Sequence, residues 1–152
     1  MKKLCILGST GSIGENTLDI VRQHPDLYRI VSLSAHTQID KLAKQAREFL
    51  PQVVVVANQA LAQKISSMID LNQTRVLWGE TGLLEAVLHP DVDTVMAAIV
   101  GAAGLLPTLE SARSGKRVLL ANKEALVMSG QLMMNAAKQH GAILLPIDSE
   151  HN

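Results

Sequence analysis

Short apolar runs of strand length alternate along this chain with segments whose apolar residues recur every three or four positions. That alternation predicts a parallel sheet covered by helices on both faces. Seven runs read as strands, at 4–7, 29–34, 53–56, 75–78, 94–100, 118–121 and 142–147. Between the first two, Ile13, Leu18, Ile20 and Val21 mark a helix that closes before Pro25, and residues 39–50 place Ile39, Leu42, Ala43, Ala46 and Leu50 on one face ahead of Pro51. Asn58 reads as the N-cap of a helix reaching Ile69, residues 82–88 as a short helix ended by Pro90, and 105–114 as a helix with Gly115 at its carboxyl cap. A last helix is expected from Glu124 to His140, with Gly141 after it. No repeat, low-complexity tract or linker interrupts the series, so the pattern predicts a doubly wound α/β fold with about seven strands.

Composition narrows the function classes. With 152 residues, 47% of them hydrophobic, the chain is sized for one substantial core. Fourteen basic residues balance fourteen acidic ones, so no net field recruits nucleic acid or an anionic membrane. The single cysteine, Cys5, sits in the first strand and reads as a small buried hydrophobe, which excludes an internal disulfide and a zinc cluster. Met1-Lys2-Lys3 is followed by an apolar run that ends at Gly8, shorter than a secretory h-region, and no run is of membrane-spanning length. The expectation is a soluble cytoplasmic protein.

Doubly wound sheets bind ligands past the carboxyl ends of their strands. After the first strand stands Gly8-Ser9-Thr10-Gly11-Ser12-Ile13-Gly14. A dinucleotide pyrophosphate needs a turn tight enough to bring backbone N–H groups and a helix N-terminus against it; glycines at 8, 11 and 14 give that room, and Thr10 and Ser12 add hydroxyls. A plain tight turn is the alternative reading. The motif is not a P-loop, because no Gly-Lys-Ser/Thr follows. Cofactor choice is written about 20 residues later, where an acidic residue would accept from the ribose of NAD. Here Ala35-His36-Thr37-Gln38 offers no carboxylate before Asp40, which favours NADP, with His36, Thr37 and Gln38 as candidate contacts to a 2′-phosphate. His36 reads equally well as an exposed loop histidine, and Lys41 and Lys44 as the solvated face of the next helix.

The last strand delivers Asp148 and Glu150, which point the same way if the segment stays extended. Two hard oxygen ligands suit Mg²⁺ or Mn²⁺, completed by water or a bidentate substrate; a solvated turn or helix cap is the other reading. Asn122-Lys123-Glu124 follows the neighbouring strand. Lys123 there can neutralise oxyanion charge, or the tripeptide is simply a helix start in which Asn122 caps and Glu124 meets the positive end of the dipole. His24, His89 and His140 lie near helix ends without zinc spacing.

Four segments taken together are specific: Leu7-Gly8-Ser9-Thr10-Gly11-Ser12-Ile13-Gly14, Met96-Ala97-Ala98-Ile99-Val100-Gly101-Ala102-Ala103-Gly104-Leu105, Leu120-Ala121-Asn122-Lys123-Glu124 and Pro146-Ile147-Asp148-Ser149-Glu150-His151-Asn152. In this order they resemble the 1-deoxy-D-xylulose 5-phosphate reductoisomerase family, across the whole chain. The resemblance implies a Rossmann-like NADP-binding domain of a metal-dependent NADPH enzyme in non-mevalonate isoprenoid biosynthesis. In that family the sugar-phosphate skeleton rearranges and NADPH then reduces the resulting aldehyde to 2-C-methyl-D-erythritol 4-phosphate. Carried onto this sequence, the resemblance assigns Asp148 and Glu150 to the metal, and Lys123, Ser149 and Glu150 to the substrate, with Lys123 and Glu150 as catalytic residues. It assigns Gly8, Thr10, Gly11, Ser12, Ile13, Gly14, Ala98, Asn122 and Glu124 to the cofactor. Family members continue past His-Asn into a catalytic domain with a third metal carboxylate and a helical carboxyl-terminal domain, and they are dimers. The expectation is therefore that residues 1–152 are the NADPH-binding domain, ending where the metal region begins, and that the chain alone binds NADPH without turnover. The competing reading on the same fold is a non-catalytic NADP or CoA module in which Asp148 and Glu150 are structural.

Overall fold

Seven parallel strands carry the apolar runs. A computed structural model describes residues 1–99, 102–120, 138–139, 141 and 143–146. The strands are β1 (Lys2–Leu7), β2 (Tyr28–Ser34), β3 (Val53–Val56), β4 (Arg75–Trp78), β5 (Thr94–Ala97), β6 (Arg117–Leu120) and β7 (Ile143–Pro146). The helices are α1 (Ser12–Gln23), α2 (Ile39–Phe49), α3 (Gln59–Ser66), α4 (Gly79–Val87) and α5 (Leu105–Arg113), with a 3₁₀ turn at Ala102–Gly104. The sheet order is β4-β3-β2-β1-β5-β6-β7. The chain steps outward from β1 to β4, returns to the other side of β1 with β5, and steps outward again. That reversal puts a topological switch point between β1 and β5, where their carboxyl ends diverge.

Alternation within the strands feeds two main cores, and a third cluster joins Val118 and Leu120 of β6 to Leu109 and Ala112 of α5. Leu4 and Ile6 of β1 and Val54 and Val56 of β3 join Leu18 of α1, Leu42 and Ala46 of α2 and Ile65 of α3. Cys5 and Leu7, with Val53 and Val55, face the opposite way onto Ala86 and Val87 of α4. In β2 the alternation breaks, because the register against β1 jumps from Leu4–Ile30 to Cys5–Ser32. This bulge puts Ile30 and Leu33 on the same side although they are three apart. The Ser32 hydroxyl then donates to Ala86 O at 3.1 Å, tying β2 to α4. Across the outer surface of α1 and α2, Arg22 grips Glu48 with a two-pronged contact of 2.5 and 2.8 Å and lies 5.2 Å from the Phe49 ring centroid. This exposed pair contributes little stability on its own.

Several boundaries differ from the pattern. Asn58 caps α3 as expected, its side chain accepting from Leu61 N–H at 3.0 Å, but the helix ends at Ser66 rather than Ile69. Met68 N–H instead bonds back to Ile65 O in a tight turn, so Met68 and Ile69 reach the core without being helical. The segment after β4 turns helical at Gly79, three residues early, since Gly79 takes φ +72 and redirects the chain directly off the strand. β5 stops at Ala97, short of the expected Val100. Ile20 and Leu50, placed by periodicity on buried faces, are about half exposed; Leu50 adopts a left-handed conformation that ends α2 before Pro51. The helix expected at 124–140 lies outside the described residues except for 138–139, which are helical. Among the described residues no helix is long and apolar enough to cross a membrane.

Cys5 is completely buried, as its position in the first strand predicts. Burial pushes its thiol up to about 12 from 9.0, against smaller opposing effects of the Ser32 hydrogen bond and the Lys116 charge. The folded chain keeps this proton while the unfolded chain releases it, so the contribution is complete below 9.0 and lost as pH rises toward 12. Urea denaturation in that window should show a loss of about 1.4 kcal/mol per pH unit that is absent in Cys5→Ala. Equal alkaline slopes in the two proteins would contradict this.

Candidate functional site

The loop after β1 is built on close backbone approach. Gly8 has φ +80, and a Cβ there would lie 2.8 Å from Ala98 O, just past the end of β5 across the switch point. A Cβ on Gly14 would lie 2.4 Å from Gly8 O and 2.5 Å from Ser9 Cα, so the first turn of α1 packs straight onto the loop that precedes it. Gly11 differs. It is the N-cap of α1 with φ −80 and ψ 175, a conformation open to any residue, and among the described residues the one atom within reach of an added Cβ is Gly8 O at 3.7 Å. Nothing among the described residues requires a glycine there, and Gly11 lines the cleft.

That cleft has a volume of about 510 Å³ and opens at the carboxyl ends of β1, β2, β3 and β5. Gly8, Thr10, Gly11, His36 and Ala98 line it among the residues the sequence singled out. Ser12, Ile13 and Gly14 follow in the first turn of α1, which has no side-chain cap, leaving its leading N–H groups for a ligand. Ile13 is half-buried against the core, while Ser12 is exposed. His36, Thr37 and Gln38 form the exposed tip between β2 and α2. His36 O accepts from Ala57 N–H at 3.1 Å, fixing the tip against the end of β3. Thr37 and Gln38 stand outside the cleft wall. Lys41, on the outer surface, pairs with Glu15 at 3.3 Å.

The far wall includes Ile99 and Ala103 after β5, which lie in the segment 96–105 already singled out, together with residues that sequence reasoning missed: Ala57 after β3 and Gly79, Glu80 and Leu83 at the start of α4. The positive φ of Gly79 is what turns α4 toward it, and the Trp78-Gly79-Glu80 juncture at a strand end was the available signal. Ala98 still donates to Leu7 O at 2.9 Å, but it and Ile99 leave the sheet to form the wall, which is why β5 ends early. Among the described residues no lysine or arginine lines this cleft, and Glu80 and His36 are its ionisable residues. What the described residues offer an anion there is backbone N–H groups and the α1 dipole.

Asn122, Lys123, Glu124, Asp148, Ser149 and Glu150 lie outside the described residues. The strands that precede them, β6 and β7, are adjacent and parallel, with Leu120 opposite Pro146. Among the described residues there is no cluster of three or more metal-ligating side chains. His24 is exposed, and half-buried His89 accepts from Asp91 N–H at 3.1 Å; His140 lies outside the described residues.

Known proteins place this geometry. Over its whole length the chain is 56% identical to the 1-deoxy-D-xylulose 5-phosphate reductoisomerase of Ralstonia nicotianae, covering 39% of that protein. The Zymomonas mobilis reductoisomerase, solved in complex with NADPH, superimposes with a TM-score of 0.92 at 39% identity, over 99% of this chain and 39% of that one. A reductoisomerase solved with NADPH, fosmidomycin and magnesium gives a TM-score of 0.91 at 49% identity, over 99% of this chain and 37% of that one. The chain thus spans about two-fifths of the length of these relatives. Residues 4–130 match the family described as 1-deoxy-D-xylulose 5-phosphate reductoisomerase, and it is to this family that the chain belongs.

Proposed function

We propose that the cleft at the β1–β5 switch point binds NADPH and that the chain is the cofactor-binding part of a reductoisomerase. That enzyme converts 1-deoxy-D-xylulose 5-phosphate to 2-C-methyl-D-erythritol 4-phosphate in non-mevalonate isoprenoid biosynthesis. The observation that carries the reading is Gly11 at the mouth of an uncapped helix, lining a cleft of about 510 Å³, with space beside it that no described residue fills. A pyrophosphate fits that space, and a side chain would fill it. Relatives solved with NADPH support the choice of cofactor, as does the absence of a carboxylate at the tip 36–38.

In this reading Gly8, Thr10, Gly11, Ser12, Ile13 and Gly14 hold the pyrophosphate. Ala98 closes against it, and His36, Thr37 and Gln38 stand nearest the adenosine 2′-phosphate. Asn122 and Glu124 contact the nicotinamide half. Lys123, Ser149 and Glu150 hold the sugar phosphate, and Asp148 and Glu150 supply two oxygen ligands to Mg²⁺ or Mn²⁺. The support is that both motifs follow strands ending side by side at the sheet edge where the cleft opens. When bound, NADPH supplies the hydride and the metal supplies positive charge at the substrate oxygens. The chain's own task is to orient the dinucleotide over that edge and shield it from water. Residues 1–152 act as the NADPH-binding domain, in a cytoplasmic enzyme that works as a homodimer without nucleic acid or membrane.

A chain spanning two-fifths of its relatives binds NADPH without turning over sugar phosphate. Mixing it with substrate, divalent metal and NADPH should leave the NADPH absorbance constant. Metal- and substrate-dependent NADPH oxidation by this chain alone would contradict that part of the reading.

A further inference from the structure

Gln45 lies on α2, outside the cleft wall, yet its side chain grips the glycine loop. Only 9% of it is exposed. Its Nε2 donates to Ser9 O at 2.9 Å, and its Oε1 accepts from the Ser9 hydroxyl at 2.7 Å. Ser9 is fully buried, and its N–H donates to Ser34 O at 2.8 Å, while Gly8 N–H donates to Ser34 Oγ at 2.9 Å. These bonds fall on the stretch that lies between the end of β1 and the start of α1. Packing alone does not call for an amide at position 45, since an apolar side chain of similar volume fills the site without desolvation. What the amide adds is direction: one donor and one acceptor fix both the carbonyl and the hydroxyl of Ser9.

We propose that Gln45 is a positioning residue for dinucleotide binding, holding the Gly8–Gly11 turn in the arrangement that directs its backbone toward the pyrophosphate. The inference rests on the NADPH reading of the cleft. A loop freed from Gln45 spends part of its time in other arrangements, and the apparent affinity falls by the fraction of time lost.

Gln45→Leu isolates this role. The Ser9 hydroxyl keeps an alternative acceptor in Ser34 O, 3.2 Å away, so only the Ser9 carbonyl loses its partner. Gln45→Glu adds a readout that a purely structural role does not move. An ionised carboxylate sets an oxygen against Ser9 O, whereas the protonated form donates to it and rebuilds the pair, and burial raises the pH at which this occurs. NADPH titration of the 152-residue chain, with circular dichroism to verify folding, should show Gln45→Leu binding about tenfold more weakly at both pH 6 and pH 8.5. Gln45→Glu should match the leucine variant at pH 8.5 and recover to within about twofold of the unaltered chain at pH 6. Should the leucine variant fail to fold, the two pH values for Gln45→Glu decide alone. Unchanged affinity in Gln45→Leu, or a Gln45→Glu defect equal at both pH values, overturns the proposal. An unaltered chain that takes up no NADPH overturns the cofactor reading as well, which separates the two failures.

Discussion

Gly14→Ala should destabilise the chain severely, whereas Gly11→Ala, three residues away, should leave it folded and unable to hold NADPH well. The added methyl at 14 would sit 2.4 Å from Gly8 O and 2.5 Å from Ser9 Cα, both backbone atoms fixed by the loop's bonds to β2. Neither can swing aside as a side chain does, so α1 must shift off the loop at a cost of about 3 kcal/mol or more. For a chain of this size that lowers the thermal midpoint by roughly 6–12 °C. At Gly11 the nearest obstacle among the described residues is 3.7 Å away and the backbone is extended. Alanine there costs under about 1 kcal/mol as a poorer N-cap. The methyl projects into the space left for phosphate, and NADPH affinity should fall at least tenfold, about 1.4 kcal/mol. Thermal melts followed by circular dichroism, paired with NADPH titration, separate the two. A Gly11→Ala chain binding as well as the original would show that the vacancy serves no ligand.

Asp148→Ala should nearly abolish turnover in a reductoisomerase that carries this chain within the full length of its relatives. Removing one of the carboxylates proposed to hold the divalent ion forfeits several kcal/mol of charge stabilisation at the substrate oxygens. A fall in kcat of about a thousandfold or more follows from a loss of roughly 4 kcal/mol. NADPH affinity should stay within about twofold, because the pyrophosphate cleft is built from the β1, β2, β3 and β5 ends and only the metal charge is altered. The binding-module reading predicts the opposite, with Asp148 dispensable. Steady-state kinetics and cofactor titration on the same variant decide between them.

The sheet was legible because a strand covered on both faces has to be apolar throughout. Val53–Val56 and Thr94–Ala97 announce themselves in that way. Boundaries were less legible where tertiary demand overrode local pattern. Met68 and Ile69 continue the period of α3, but they reach the core from a turn. Gly79 and Gly82 look like helix breakers, yet one steers α4 into place and the other lets it approach β3 and β4, where a Cβ would lie 3.0 Å from Val55 and 3.1 Å from Leu77 side-chain atoms. The glycine loop was legible as a tight turn lining the cleft, although its three glycines differ: a Cβ at Gly8 or Gly14 would meet backbone, while one at Gly11 has no described atom nearer than 3.7 Å. Gln45 was invisible because a glutamine on an amphipathic helix reads as solvated. The one clue was its place three residues after Leu42 and beside Ala46, inside the apolar stripe. The far wall at Gly79, Glu80 and Leu83 depends on how α4 returns across the sheet, which no local spacing encodes.

The most direct test of the central claim is equilibrium titration of the 152-residue chain with NADPH and, separately, NADH. Saturation at about one NADPH per chain and weaker binding of NADH are expected, since the tip at His36-Thr37-Gln38 has no carboxylate to hold the ribose of NAD. Absence of saturable NADPH binding, or tighter binding of NADH, would contradict it.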